Sequence, residues 1–286
     1  MKNKIITSGP WLHRIITSVE PVFVNLRRSP GAAIEKTGPG TIRLEIPSGP
    51  ANRFRLAQID DYTGLSRTDY PWRPPVDLSL RARTGSAEVP GTWGFGFWNA
   101  PMSFSLGLGR SSPFPALPEA AWFFHASPES HLSFRDDLPG SGWLAQTFRR
   151  RAHSPWVSLQ ALAALPLLAL PPAARRYRRF VSRNLIRESG ASLAVPGVTT
   201  DHEYRLSWLA GAVSFRIDGE TVHETEVAPR APLALVVWID NQYAAFSPEG
   251  QLRYGLHASA QPHHMEISAA EINGRPLRLA ARENGK

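Results

Sequence analysis

The sequence predicts an all-β fold interrupted by one helical, arginine-rich insertion, and three observations lead there. Tyr204-Arg205-Leu206-Ser207-Trp208 and Val213-Ser214-Phe215-Arg216-Ile217 place apolar residues at every second position, the pattern of strands with one buried face. Turn formers are abundant: 26 Pro and 22 Gly punctuate the chain, and Asp218-Gly219 is a strong hairpin signal. The charge is confined. Nine Arg and one Glu between Leu144 and Gly190 give that segment a net +8, the formal charge of the whole chain.

At 286 residues and 42% hydrophobic, the chain can build one large core. There is no cysteine, so disulfides and thiolate chemistry are excluded. A zinc site would need His and carboxylate ligands alone. His263 and His264 are adjacent and diverge on a strand, so no metal is expected; no cofactor is expected either. Met1 to Pro10 is basic and has no sustained apolar run, which reads as a mature terminus and predicts a cytoplasmic protein.

In chain order, Trp11 to Phe23 is a short apolar strand or an ordered arm. Thr41 to Ile46 alternates cleanly, Phe54 to Ile59 less so, and Val76 to Arg83 sets Val76, Leu78, Leu80 and Ala82 on one face. Asp60 and Asp61 are neighbours; on a strand they diverge and cannot act as a catalytic pair. In Trp93-Gly94-Phe95-Gly96-Phe97-Trp98 the three odd positions share one face. Gly94, Gly96 and Trp98 share the other, where two glycines leave room for a ligand or for a neighbouring ring. Pro118 to Ser127 is strongly apolar and carries Trp122 and His125. Leu138 to Trp143 reads as a turn.

From Leu144 to Val195 the pattern changes, and this stretch is taken as the insertion into a single β domain spanning 1–286. Trp156 to Leu165 is rich in helix formers, and prolines 166, 171 and 172 limit it. Ala173 to Arg187 is expected to be a second helix. Tyr177, Phe180, Val181 and Leu185 form its apolar stripe, flanked by Arg175, Arg179, Arg183 and Arg187 at four-residue intervals. A basic amphipathic helix suits a lid or an anionic membrane surface, with peripheral membrane association as the corresponding alternative location. A specific nucleic-acid partner is not expected, since no stacking module accompanies the charge. The apolar run inside 161–170 is too short to span a bilayer. Beyond it, Leu233 to Trp238 is continuously apolar, as in a strand covered on both faces.

His202-Glu203-Tyr204 through Trp208, the Val213 to Gly219 hairpin, Pro232 to Trp238, and Gly91-Thr92-Trp93-Gly94-Phe95-Gly96-Phe97-Trp98 together resemble glycoside hydrolase family 16-like proteins. The resemblance covers about 40–143 and 196–270. It implies a concanavalin A-like β-sandwich, a jelly roll whose concave sheet binds glycan. That family's catalytic strand reads Glu-x-Asp-x-x-Glu or Glu-x-Asp-x-Glu, which puts an acid pair on one face about 5 Å apart. Here the corresponding strand offers Glu119, then Ala120-Ala121-Trp122-Phe123-Phe124-His125, and no second carboxylate before Glu129. The family's catalytic residues are therefore not carried over.

The expected site is a cleft lined by Trp98, Trp238 and one of Trp122 or His125, with Asn99, Asp240, Asn241 and Tyr243 as polar groups near it; the alternative is that these tryptophans fill a wide sandwich core. Aromatic faces suit sugar rings or flat apolar ligands. Three functions follow: a binder of carbohydrate or glycolipid with a degenerate active site, a hydrolase or lyase using His125, Asp240 or Asp61, or a membrane-surface protein with an apolar cleft. The second requires His125 and Asp240 to meet at hydrogen-bond distance.

Overall fold

The computed structural model describes residues 20–101, 116–152, 156, 168–194 and 197–280. Seventeen strands follow one another in these segments. They are β1 (Val22–Arg28), β2 (Ala33–Gly38), β3 (Thr41–Ile46), β4 (Leu56–Asp60), β5 (Val76–Thr84), β6 (Thr92–Trp98), β7 (Ala120–Ala126), β8 (Gly142–Arg150) and β9 (Ile186–Ser192). After these come β10 (His202–Trp208), β11 (Val213–Ile217), β12 (Glu220–Thr225), β13 (Ala234–Asp240), β14 (Gln242–Phe246), β15 (Leu252–Leu256), β16 (His263–Ile272) and β17 (Arg275–Leu279).

The strands form a jelly-roll β-sandwich. The front sheet runs β1-β4-β13-β6-β7-β8-β9, and the back sheet runs β12-β11-β10-β5-β16-β3-β2. β1 joins the two: Val22 to Val24 pair with β17, which pairs with β16, while Asn25 to Arg28 pair with β4. Strands from before and after the insertion are neighbours in both sheets, as β13 beside β6 and β10 beside β5 show. Neither half closes a core without the other.

Alternation decides what lies between the sheets. Trp93, Phe95 and Phe97 of β6 and Leu235, Val237 and Ile239 of β13 point inward, against Tyr204, Leu206, Trp208 and Phe215. Edge-to-face contacts lock this layer: Phe95 to Tyr204 and Phe123 to Phe215 both lie at 5.1 Å. All seven residues of β13 are buried. The strand is covered on its inner face by the core and on its outer face by a second cluster that contains Ala234, Val236 and Trp238.

The sheet reaches further than the sequence pattern suggested. β8 and β9 are paired strands, so the excursion between them occupies 151–185 rather than 144–195. Glycine at 142 and 190 and arginine at 149, 150 and 187 hide the alternation, because an edge pair tolerates both. The expected second helix is also shorter. Helix α1 (Pro171–Phe180) opens with prolines in its first turn, where the missing N–H costs nothing. It passes into a π-helical turn (Val181–Leu185), and Ile186 already pairs with Arg150. Tyr177, Phe180, Val181 and Leu185 do turn to one side, packing with Phe148, Ile186 and Trp122. Residues 177–185 thus pack over one end of the outer face of the front sheet. The expected helix at 156–165 lies outside the described residues apart from Trp156, as does most of the expected Trp11 to Phe23 element. Among the described residues no helix is long and apolar enough to cross a membrane.

Candidate functional site

The outer face of the front sheet is set by register. Across β13, β6, β7 and β8, one row reads Trp238, Gly94, Phe124 and Leu144; the next reads Val236, Gly96, Trp122 and Gln146; the third reads Ala234, Trp98, Ala120 and Phe148. The glycines make this row of rings possible. A Cβ on Gly94 would stand 2.4 Å from the Phe123 carbonyl oxygen and 3.1 Å from the Trp238 ring, and one on Gly96 would stand 2.4 Å from the Ala121 carbonyl oxygen.

Over those glycines the indoles gather. Trp98 and Trp238 are parallel within 4°, with centroids 6.2 Å apart, and Trp122 lies 6.0 Å from Trp98 and 5.7 Å from Trp238. Phe124 stacks on Trp122 at 5.4 Å and on Trp238 at 5.7 Å. Trp98 and Trp122 keep part of their surface in solvent, whereas Trp238 is buried. Trp122 donates its indole N–H to Gln146 Oε1 at 3.4 Å. The Trp98 indole nitrogen is buried and has no hydrogen-bond partner among the described residues.

Trp238 is fixed by a relay. Its Nε1–H donates to Thr92 Oγ1 at 2.9 Å, and the threonine hydroxyl donates to Asp240 Oδ1 at 2.9 Å. The Thr92 and Gln242 amides reach the same oxygen at 3.2 and 3.0 Å. Burial nonetheless dominates, and it pushes the Asp240 carboxyl up to about 7.

The other predicted residues are dispersed. His125 points between the sheets, its ring stacked on Trp93 at 5.7 Å, and burial lowers its pKa to about 4. Asp240 is on the opposite face of the same sheet, so the two do not form a proton-transfer pair. The cause is parity: Trp93 is opposite His125, and Thr92, one residue away, is opposite Asp240. Asp61 is tied into the fold, accepting from the Trp72 indole and from the Leu235 amide, and burial raises it to about 7. Asn99 clasps the Leu117 carbonyl and the Glu119 amide. Asn241 is fully buried and binds the Arg55 amide and the carbonyls of Arg53 and His257. Tyr243 lies on the β14–β15 hairpin, 5.0 Å from the His257 ring.

On the outer-face strands the carboxylates are Asp60, Asp240 and Glu188. Asp60 is opposite Val236, four residues from Asp240, which separates the two by roughly 14 Å. Glu188 lies across the sheet, opposite Phe148. None of these stands at the 5–9.5 Å that a glycosidase acid pair requires. Each is also engaged: Asp60 accepts from Gln58, Thr63 and the Tyr62 amide, and Glu188 accepts from Gln146 at 2.8 Å and the Phe134 amide at 2.9 Å.

The basic excursion is anchored by Arg178, which the sequence did not single out. It is 1% exposed, is paired with Asp136, and donates to His131 Nε2 at 3.0 Å and to the carbonyls of Ser133 and Arg135, both at 2.8 Å. Arg175, Arg179, Arg183 and Arg187 do not share a flank. Arg175 and Arg179 border a cavity of about 240 Å³ with Arg178 and Asp136. Arg183 and Arg187 border another of about 390 Å³, because the π turn and the strand that follows rotate them away. Among the described residues no group of three or more His, Asp or Glu is placed to hold a metal ion.

Fold and site together define a jelly-roll β-sandwich with an aromatic outer face and without a paired-carboxylate centre among its front-sheet strands. No family model matches the chain, and no curated protein matches it. Solved structures of similar chain course include a putative beta-glucanase from Mycobacterium abscessus, at 8% identity, covering 84% of this chain and 78% of that one, with a TM-score of 0.42. The Bacillus licheniformis beta-glucanase is similar at 10% identity, 85% and 89% coverage and a TM-score of 0.42. A legume lectin-like domain from Entamoeba histolytica is similar at 10%, 91% and 91%, with a TM-score of 0.42. At such scores the jelly-roll assignment rests on the strand order itself, and membership in a sequence family is not shown.

Proposed function

We propose that the outer face of the front sheet binds a carbohydrate or the sugar of a glycolipid, with Trp98 and Trp122 as its platform. One observation carries this reading: a row of indoles, two of them part-exposed, over a glycine floor, with the Trp98 N–H unpaired among the described residues. An aromatic face takes the C–H face of a sugar ring. Trp238 supports the platform from beneath through Thr92 and Asp240. The Asn99 and Asn241 side chains are engaged by the backbone, and Tyr243 packs against His257 on the β14–β15 hairpin.

A second reading is favoured by Asp240. A carboxyl held near neutrality beside a ring-binding face is what a general acid requires, so a carbohydrate hydrolase or lyase would use it, with a partner from outside the front-sheet strands. The beta-glucanases of similar chain course bear names of that kind.

A glycan array, read by fluorescence, tests both. Trp98→Ala and Trp122→Ala abolish binding with circular dichroism unchanged, and Trp98→Phe keeps part of it. Binding that survives both alanine variants sinks the proposal. Release of reducing ends from a bound glycan, lost in Asp240→Asn, selects the second reading.

A further inference from the structure

We infer that the cavity beneath the π turn is a second ligand site, one that takes a phosphate or sulfate monoester. It has a volume of about 390 Å³ and is lined by Arg135, Arg151, Ser182, Arg183, Arg187 and Glu188, a size within the roughly 300–1,000 Å³ range of small-molecule sites. It is a separate site from the aromatic row and does not depend on the carbohydrate reading.

The charge balance carries the inference. Four guanidinium groups converge on one cavity. Arg135 is neutralised by Asp137, with Nε to Oδ1 at 2.8 Å, and Arg151 is held in place by the Ile186 carbonyl at 3.2 Å. Arg183 and Arg187 have neither an ion pair nor a hydrogen bond among the described residues. Glu188 is the sole carboxylate of the lining, and its two oxygens are taken by Gln146 and the Phe134 amide. Its single charge, together with Asp137 beside Arg135, leaves two of the four guanidinium charges unbalanced. Guanidinium groups that outnumber the carboxylates around a concave space repel one another, and their planar forks match a tetrahedral oxyanion.

The positions are fixed by backbone rather than chance. Arg183 lies in the π turn and Arg187 at the second residue of β9. Leu185 and Ile186 are buried between them and hold the turn down. Arg151 follows directly on β8, whose last residue pairs with Ile186. The two sides of the cavity are thus parts of one hydrogen-bonded ladder.

The test uses isothermal titration of the full chain with inorganic phosphate and inorganic sulfate at constant ionic strength, against chloride as the blank. Saturable binding is expected, weakened about ten-fold or more in Arg183→Gln and in Arg187→Gln through lost charge-assisted bonds. Arg216→Gln, an exposed arginine on β11, leaves it unchanged. All three positions are exposed, and unaltered thermal melting verifies that the variants fold. Vesicles of phosphatidylcholine with phosphatidic acid then distinguish the source of the ester. Competition with inorganic phosphate assigns a lipid headgroup, and none assigns a soluble ester. Heats indistinguishable from chloride, or equal losses in Arg216→Gln, overturn the inference.

Discussion

Replacing Asp240 by asparagine should stabilise the protein at alkaline pH and do little at acid pH. The carboxyl is 7% exposed, and burial raises it from an ordinary 3.8 to about 7. Below pH 4 it is protonated in both folded and unfolded chains. Between 4 and 7 the unfolded chain releases the proton while the folded chain keeps it, so the folded state binds more protons and stability falls as pH rises. Above 7 both are ionised and the full penalty is in place. The two pKa values give a loss of about 2 to 3 kcal/mol between pH 5 and pH 8 from this residue alone. Asparagine keeps an oxygen for the donors at Thr92 and Gln242 and does not titrate. Urea unfolding followed by tryptophan fluorescence at both pH values measures the difference between variant and wild type. That difference should shift in favour of the variant by this amount as pH rises, and the comparison cancels the parallel contribution of Asp61. A difference independent of pH, or one of opposite sign, would refute the assignment of a buried, reluctant acid.

Asp61→Asn should behave otherwise. Its two oxygens accept from two separate donors, Trp72 and Leu235, and an amide oxygen can serve only one, so a loss of about 1–3 kcal/mol is expected in the unfolding assay at about pH 4, where the penalty of ionising the buried carboxyl is not yet in place; a neutral result there would contradict it. Gly96→Ala should destabilise by more than about 2 kcal/mol through overpacking, since the new methyl meets the β7 backbone at 2.4 Å and φ is +152°; a wild-type melting midpoint would count against that geometry. Arg178→Met should release α1 from the 131–137 loop, at a cost of about 3 kcal/mol. Amide hydrogen exchange would then show 171–185 losing protection while β6 and β13 keep theirs, and unchanged exchange would mean that the excursion is anchored elsewhere.

Much of the sandwich was legible because alternation is a local signal. Thr41 to Ile46, Val76 to Arg83 and the hairpin from His202 to Ile217 declare one buried face each, and the structure pairs them as their patterns require. The apolar run from Leu233 to Trp238 was likewise readable as a strand covered on both faces. β8 and β9 were not, because arginines and glycines near an edge blur the period, and the boundary of the excursion was misplaced for that reason. Helix propensity carried the expected second helix on to Arg187, whereas pairing of Ile186 with Arg150 ends it earlier.

The sequence by itself determined the strands, the glycine floor and the absence of an acid-rich catalytic strand at Ala120 to Ala126, since each is written in the order of neighbouring residues. Only the tertiary structure decided which side chains meet. It assembled Trp98, Trp122 and Trp238 from three strands, turned His125 away from Asp240, and drew Arg135, Arg151, Arg183 and Arg187 around one cavity. The physical reason is that facing and register depend on strand pairing between residues tens to more than a hundred positions apart, and a shift of one residue there reverses every side chain.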